Sequence, residues 1–400
     1  MIEVLQRSAF IRLQVANVAS GVANGVVMIT VPWLVLERTD SPARAGLLAA
    51  LVSLPGIVVS PVVGGLIDRV GRRAVSALSD VLSCLSVLLF VIGEAVSELS
   101  YVWIALIALL GAVFDPAGYT SRKSLIPNAA ASAGMSVDKA NGRHEGCFAI
   151  GWMLGPAIGA WCIDFGGPIL AFGGTSVLFM LAAFAVRSMR IRELRGEHHS
   201  SAEPFWEALR GGFSIMKSDK ALLAFTLGLT GLSGLYMPID TVIFPSYFNS
   251  LNDAPALGAV LSSIALGVVF GAFAYGRLAT RFQTSTLLRI IIIVSTSALL
   301  PMGFLPRTWI FVLLALIVGV AWGPFNPLWN TVVQRRVPQE SQGRIYGLQM
   351  SLMYSAPPVG QLLVGWGVES IGLRATFSIV LALFALTAAT IVSLRSLNDL

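Results

Sequence analysis

Gly64-Gly65-Leu66-Ile67-Asp68-Arg69-Val70-Gly71-Arg72-Arg73 is a short charged turn set between two long runs that carry almost no charge. Before it, 45–67 holds no Asp, Glu, Lys or Arg. After it, 74–93 is interrupted only by Asp80. A helix that crosses a hydrocarbon core of about 30 Å needs about 20 mostly apolar residues. Two such runs joined by a turn with three arginines read as a pair of spanning helices with their connection at one face of a membrane.

The pattern repeats outward in both directions. Runs free of charge, or broken once, occupy 13–36, 99–121 (broken at Asp115), 146–163 and 165–186. They resume at 221–252 (broken at Asp240), 254–276, 290–306, 308–334, 345–368 and 375–394. That predicts an all-α membrane protein of twelve transmembrane helices. Six fall on each side of a polar stretch, giving bundles over 1–190 and 220–400 joined by a cytoplasmic linker, 191–219. Spanning strands are about 10 residues long and alternate in polarity, whereas these runs are longer and apolar throughout. Composition agrees: 56% of the 400 residues are hydrophobic and 12% charged, about half the charge of an ordinary soluble domain.

The net charge of +6 does not point to nucleic acid, because the basic residues recur between apolar runs instead of forming one patch. With the N-terminus placed in the cytoplasm, all but four of the 27 Lys and Arg residues fall on the cytoplasmic side. The four are Arg38, Arg44, Arg307 and Arg374. This asymmetry is the positive-inside pattern, so both termini are expected in the cytoplasm, with the chain in the cell membrane. The polar start runs into an apolar stretch too long for a signal peptide, so the first span is expected to be retained. Within the linker, Phe205, Trp206, Leu209 and Phe213 have the spacing of an interfacial amphipathic helix.

Enzyme chemistry finds no support. Cys84, Cys147 and Cys162, with His144, His198 and His199, show no metal-ligand spacing, and no metal or cofactor is expected. There is no Gly-x-x-x-x-Gly-Lys-Ser/Thr loop to hold ATP, and no nucleophile–base constellation.

The two halves look alike. Gly111-Ala-Val-Phe-Asp115-Pro116 matches Gly319-Val-Ala-Trp-Gly323-Pro324, Gly142-Arg143 matches Gly343-Arg344, and Gly155-Pro156-Ala157-Ile158-Gly159 matches Ala356-Pro357-Pro358-Val359-Gly360. Internal repeats of six spans mark secondary transporters.

The turn Gly64-x-x-x-Asp68-Arg69-x-Gly71-Arg72-Arg73 resembles the signature loop between helices two and three of the major facilitator superfamily. A worn copy stands at Gly276-Arg277-Leu278-Ala279-Thr280-Arg281. Physically, Gly64 lets a neighbouring helix approach, Gly71 permits a tight turn, and Asp68 suits a helix N-terminus, near 343–346 at the start of span eleven. The resemblance implies that this cluster gates the cytoplasmic side. In span five, Gly151-x-x-x-Gly155-Pro156-x-x-Gly159 resembles the antiporter motif of exporters in the same superfamily. Glycines four apart permit close helix packing, with Gly267-x-x-x-Gly271 of span eight as the expected partner. Within the superfamily the chain resembles the drug:proton antiporters that include macrolide exporters and the enterobactin exporter, and span four carries no arginine of the kind found in other drug-exporter groups.

Ionisable groups inside a span are costly and mark functional sites. Asp240 is the leading proton or substrate site, with Asp115 and Glu37 behind it, and Asp80 is expected to pair with the basic turn at 69–73. The fold the resemblance implies places a cavity near spans one, four, seven and ten, with Asn24, Tyr119, Tyr236, Trp322, Asn326 and Asn330 as lining candidates. The expected activity is proton-coupled export of drugs or other small amphipathic molecules by alternating access, the protein working as a monomer. The alternatives are an exporter of a single metabolite such as a siderophore, an uptake symporter, and a non-transporting sensor or scaffold.

Overall fold

The computed structural model describes residues 2–189, 191 and 205–399, with side chains outside 2–7, 57–69, 138, 205–209, 339–340, 343, 350 and 398–399. All regular structure among them is helical. In chain order the helices are α1 (Ile2–Thr39), α2 (Pro42–Val70), α3 (Arg72–Val96), α4 (Tyr101–Ser124), α5 (Ile126–Ser132), α6 (Val137–Arg187), α7 (Phe205–Ser218) and α8 (Lys220–Pro238). They continue as α9 (Phe244–Ser250), α10 (Ala254–Arg281), α11 (Thr284–Leu299), α12 (Thr308–Trp322), α13 (Phe325–Arg336), α14 (Gln339–Ile371) and α15 (Leu373–Ser393).

Nine described helical segments are long and apolar enough to cross a membrane, and α2 and α14 add helices of 29 and 33 residues. One of the nine, Lys139–Arg187, has 49 residues and would rise about 74 Å as a straight helix, more than twice a hydrocarbon core. It breaks at Gly166 and Gly167, where Gly167 has φ 76°. A side chain is strained at that φ, so this pair is where the chain reverses between two spans. Twelve transmembrane helices result, as the charge-free runs predict. The spans over 221–252 and 308–334 are each assembled from consecutive helices, α8 with α9 and α12 with α13.

The chain divides into two compact units. Unit 1 is Met1–Asp40, Leu51–His199 and Phe248–Gly258; unit 2 is Ser41–Ala50, Ser200–Tyr247 and Ala259–Leu400. In unit 1, α1 lies along α6, which also packs on α3. Asn17 donates to the His144 carbonyl at 2.9 Å. A Cβ on Gly151 would fall 3.1 Å from the Gly21 backbone, and one on Gly155 only 2.6 Å from Gly25 Cα. The two helices therefore run in parallel with glycine against glycine at successive turns. The antiporter-like motif thus packs on α1; the expected partner, Gly267-x-x-x-Gly271, packs instead on Gly319 and Gly323 of α12 and its C-cap. The reason is matching spacing: Gly21 and Gly25 are themselves four apart. In unit 2 the counterpart seam joins α8 and α14, where a Cβ on Gly234 would meet Ala356 at 3.0 Å and one on Gly360 would run into the Gly234 carbonyl.

The amphipathic helix expected in the linker is present as α7. Its Gly211 and Gly212 rest on Arg344 and Leu348 of α14, while Phe205, Trp206 and Leu209 lie outside the described side chains.

Candidate functional site

Unit 1 buries a charge cluster between α1, α3 and α4. Asp80 is 2% exposed and Arg122 3%. Arg122 Nη1 donates to both Asp80 carboxylate oxygens at 2.9 Å, and its Nη2 donates to Ser20 Oγ at 2.9 Å. Gly118 makes room for the pair, since a Cβ there would stand 3.3 Å from Arg122 Nη1 and 2.7 Å from Ser79 Oγ. One turn before Gly118, Asp115 accepts from Asn24 Nδ2 at 2.6 Å, and Arg122 acts on it electrostatically. Two carboxylates share one guanidinium, so one added proton neutralises the cluster.

The partner expected for Asp80 was the turn at 69–73; the buried pair with Arg122 replaces it. Span four does carry an arginine, because α4 continues past the end of the charge-free run at Ser121 and draws Arg122 inside. Asp115 and Arg122 are seven residues apart, two turns on one helix face, which is the signal a reading by runs overlooks. His144 was also unassigned: it is 1% exposed, and neither ring nitrogen has a hydrogen-bond partner.

The basic turn reaches helix ends instead of Asp80. Gly71 caps α3 with φ 99°, a conformation that suits glycine. Arg72 donates to the Ser124 carbonyl and to Asn128 Oδ1, both at 3.1 Å, and Arg73 donates to the Met189 carbonyl. Arg12 reaches the Ser188 carbonyl. Cations belong at helix C-termini, and these three tie the ends of α4 and α6 to α1 and α3. The side chains of Gly64, Asp68 and Arg69 lie outside the described residues.

Unit 2 centres on Asp240, in a π-helical turn, Ile239–Ile243, that follows Pro238. Such turns are rare and concentrate at functional sites. Asp240 Oδ1, the Tyr236 hydroxyl and Trp322 Nε1 are buried, and none of them makes a hydrogen bond of normal geometry among the described residues. Tyr236 stands one turn before Asp240 and is its polar neighbour, its hydroxyl facing the carboxylate as a weak donor; its ring lies 6.3 Å from that of Trp322. The aromatic wall continues from Trp322 to Phe325 at 5.4 Å, then through Phe225 to Trp329. Trp329 Nε1 is a further buried donor without a partner.

The remaining candidates are scattered. Asn326 and Asn330 are exposed on α13. Tyr119 packs on Phe148 and takes a long 3.4 Å hydrogen bond from Lys123. Glu37 is exposed at the end of α1, beside Arg38, which pairs with Glu94 at 2.6 Å. Gly151, Gly155 and Gly159 serve helix packing, Gly159 against Val26, and Pro156 is buried in the same seam.

The chain matches the family model described as Major Facilitator Superfamily over residues 13–360. It is 32% identical to the multidrug efflux pump Tap of Mycolicibacterium fortuitum, covering 98% of each chain. Macrolide efflux protein A of Streptococcus pyogenes is 24% identical, with 92% of this chain and 91% of that protein covered. Among solved structures, the nucleoside transporter NupG superposes with a TM-score of 0.76 at 13% identity, covering 96% of this chain and 98% of that one. That likeness shows the fold. Twelve helices built as two repeats, a family match spanning most of the sequence and a relative at nearly full coverage agree: this chain is a multi-pass membrane protein that belongs to the major facilitator superfamily.

Proposed function

We propose that the protein exports drugs or other small amphipathic molecules by alternating access in exchange for protons, with Asp240 as the exchanging group. The observation that carries this is the buried Asp240 Oδ1, which has no hydrogen bond of normal geometry and only the Tyr236 hydroxyl as a weak neighbouring donor, on a wall where Trp322 Nε1 is buried without a partner. An unsatisfied buried polar atom costs about 1–3 kcal/mol, and more when charged. A weakly held acid beside unpartnered aromatic donors is best understood as a site whose ligand comes and goes. A proton and a cationic or hydrogen-bonding amphiphile are alternative occupants of the carboxyl. Aromatic faces suit lipophilic cations.

Both termini face the cytoplasm in this reading, and the working unit is the monomer, with bundles at 1–190 and 220–400 joined by 191–219. The charge cluster of Asp80, Arg122 and Asp115 holds unit 1 together and is a secondary protonation site. The export of drugs by Tap and macrolide efflux protein A, as their names state, supports the direction of transport.

The test is efflux of a fluorescent lipophilic cation from cells, with and without a proton uncoupler, for the wild type and Asp240→Asn at matched expression. Export is expected to be uncoupler-sensitive and lost in the variant, by at least about tenfold, the effect of about 1.4 kcal/mol. Export indifferent to the uncoupler removes protons from the scheme. Export intact in Asp240→Asn removes Asp240. A protein that reaches the membrane and moves no dye shifts the reading to an exporter of one metabolite.

A further inference from the structure

Unit 1 holds a groove of about 770 Å³ that the sites above do not use. It lies between α1 and the two arms of α6. It begins at Phe10 and Arg143 and reaches Val26 and Cys162. Residues 10 to 26 of a helix rise about 24 Å, so the groove follows most of one span. The register of the seam, Asn17 on His144 and Gly21 on Gly151, sets Arg143 level with Gln14, so both polar residues lie at the same end. Ile11, Val15 and Leu181 on its rim are 59%, 40% and 45% exposed. Val15 and Leu181 fall within the spans 13–36 and 165–186, where the solvent is lipid, so the groove opens sideways towards the acyl chains.

Hydrocarbon alone does not complete it. Arg143 lines the groove and has neither an ion pair nor a hydrogen bond among the described residues. Gln14 also lines it, with amide oxygen and nitrogen both buried and unpartnered. A free guanidinium at the membrane face with an unsatisfied amide beside it, above a long apolar channel, is complementary to an amphiphile with an anionic head. We propose that the groove binds a membrane phospholipid with an anionic headgroup, its phosphate at Arg143, its ester region at Gln14 and an acyl chain along α1. The site is taken from the leaflet next to the N-terminal end of α1. It rests on the membrane placement of the chain and not on the export reading.

Native mass spectrometry of the purified protein tests this with phosphatidylglycerol and phosphatidylcholine of the same acyl chains. The wild type is expected to retain phosphatidylglycerol about fivefold better, the worth of one arginine beside an anionic surface. Arg143→Gln is expected to abolish the preference and leave phosphatidylcholine retention unchanged. Gly174→Phe is expected to reduce both lipids, because Gly174 lines the groove and a Cβ there meets nothing within 4 Å, so the ring enters open space without disturbing the fold. Melting temperatures of both variants in detergent check that they are folded. Equal retention of the two lipids by the wild type overturns the proposal. An unchanged preference in Arg143→Gln does so too, as does displacement of the lipid by inorganic phosphate alone.

Discussion

In unit 1, α4 carries Asp115 and Arg122 two turns apart; at the matching places in unit 2, counted from Gly319 and Pro324, stand Gly323 and Asn330. The first pair is drawn inside and joined to Asp80, Ser20 and Asn24. In the second, Gly323 serves a helix contact against α10 and Asn330 is exposed. Unit 2 places its acid elsewhere, at Asp240 on α8's continuation, with only Tyr236 as a weak neighbouring donor. Yet both repeats keep the same close seam, Gly25 on Gly155 in one and Gly234 on Ala356 and Gly360 in the other. Backbone packing is thus the shared inheritance of the repeat, while the charges are not. The ionic cluster has its partners in place, whereas Asp240 has only Tyr236 beside it, which is why the principal exchange is proposed there.

The seam is where substitution should do most damage, and equally in both units. Gly155→Leu puts a side chain 2.6 Å from Gly25 Cα, and Gly360→Leu drives one into the Gly234 carbonyl. Each exceeds the usual overpacking cost of about 1–3 kcal/mol, because backbone cannot swing away as a side chain can. Neither variant is expected to give a monodisperse peak on size-exclusion in detergent, whereas Gly146→Leu, with open space at its Cβ, runs as wild type. Tolerance of either seam variant breaks the likeness drawn between the units.

The charge cluster separates them. Arg122→Leu strands the buried Asp80, and loss of one partner from a buried pair costs about 3–5 kcal/mol. The matching Asn330→Leu is expected within about 0.5 kcal/mol of wild type. Thermal unfolding in detergent measures both. In Asp80→Asn/Arg122→Gln, which removes both charges, part of the loss should return. A double variant no better than Arg122→Leu places the damage in packing instead of charge.

The smallest effect belongs to the N-cap of α8. Asp219 accepts from the Ala221 and Leu222 amides and pairs with Arg336 at 2.6 Å. Burial alone would raise its pKa, but Arg336 and the two amides outweigh that and hold the carboxyl below the usual range. Because the folded value is depressed, the stabilisation is fully present above the ordinary Asp pKa of about 3.9 and fades as pH falls through the lowered value. Asp219→Ala is expected to cost about 1 kcal/mol at neutral pH. Its melting temperature should track the wild type with a constant gap from pH 8 to about 5, narrowing below about 4. A gap that closes between pH 7 and 6 assigns the stabilisation to another group.

The spans were legible because lipid tolerates so few charges that twelve runs stand out in the sequence. The same rule hid Arg122: allowing one charge in a run and ending it at the next cut α4 at Ser121, three residues short of Ser124. A buried guanidinium is affordable only with its carboxylate, and Asp80 lies 42 residues away in sequence, beyond any local pattern. Glycine spacing announced close packing without naming the partner, since Gly21, Gly25, Gly267 and Gly271 all fit a four-residue rule, and geometry alone paired them. Asp240 stood out from its apolar surroundings; that its turn is π-helical followed from no residue type.

A π turn is an α-helix holding one residue more than its ladder needs. That surplus offsets the side chains beyond it by about 100° from a straight continuation. Beyond Ile243, on the far side of that offset, Phe244 lies edge-on to both Phe311 and Phe377. Deleting any one residue from 239–243 would restore a regular ladder and turn Phe244 off both rings. The extra residue at the acid and the aromatic lock one turn later therefore stand or fall as a single insertion, a length constraint that alignments of this span must respect.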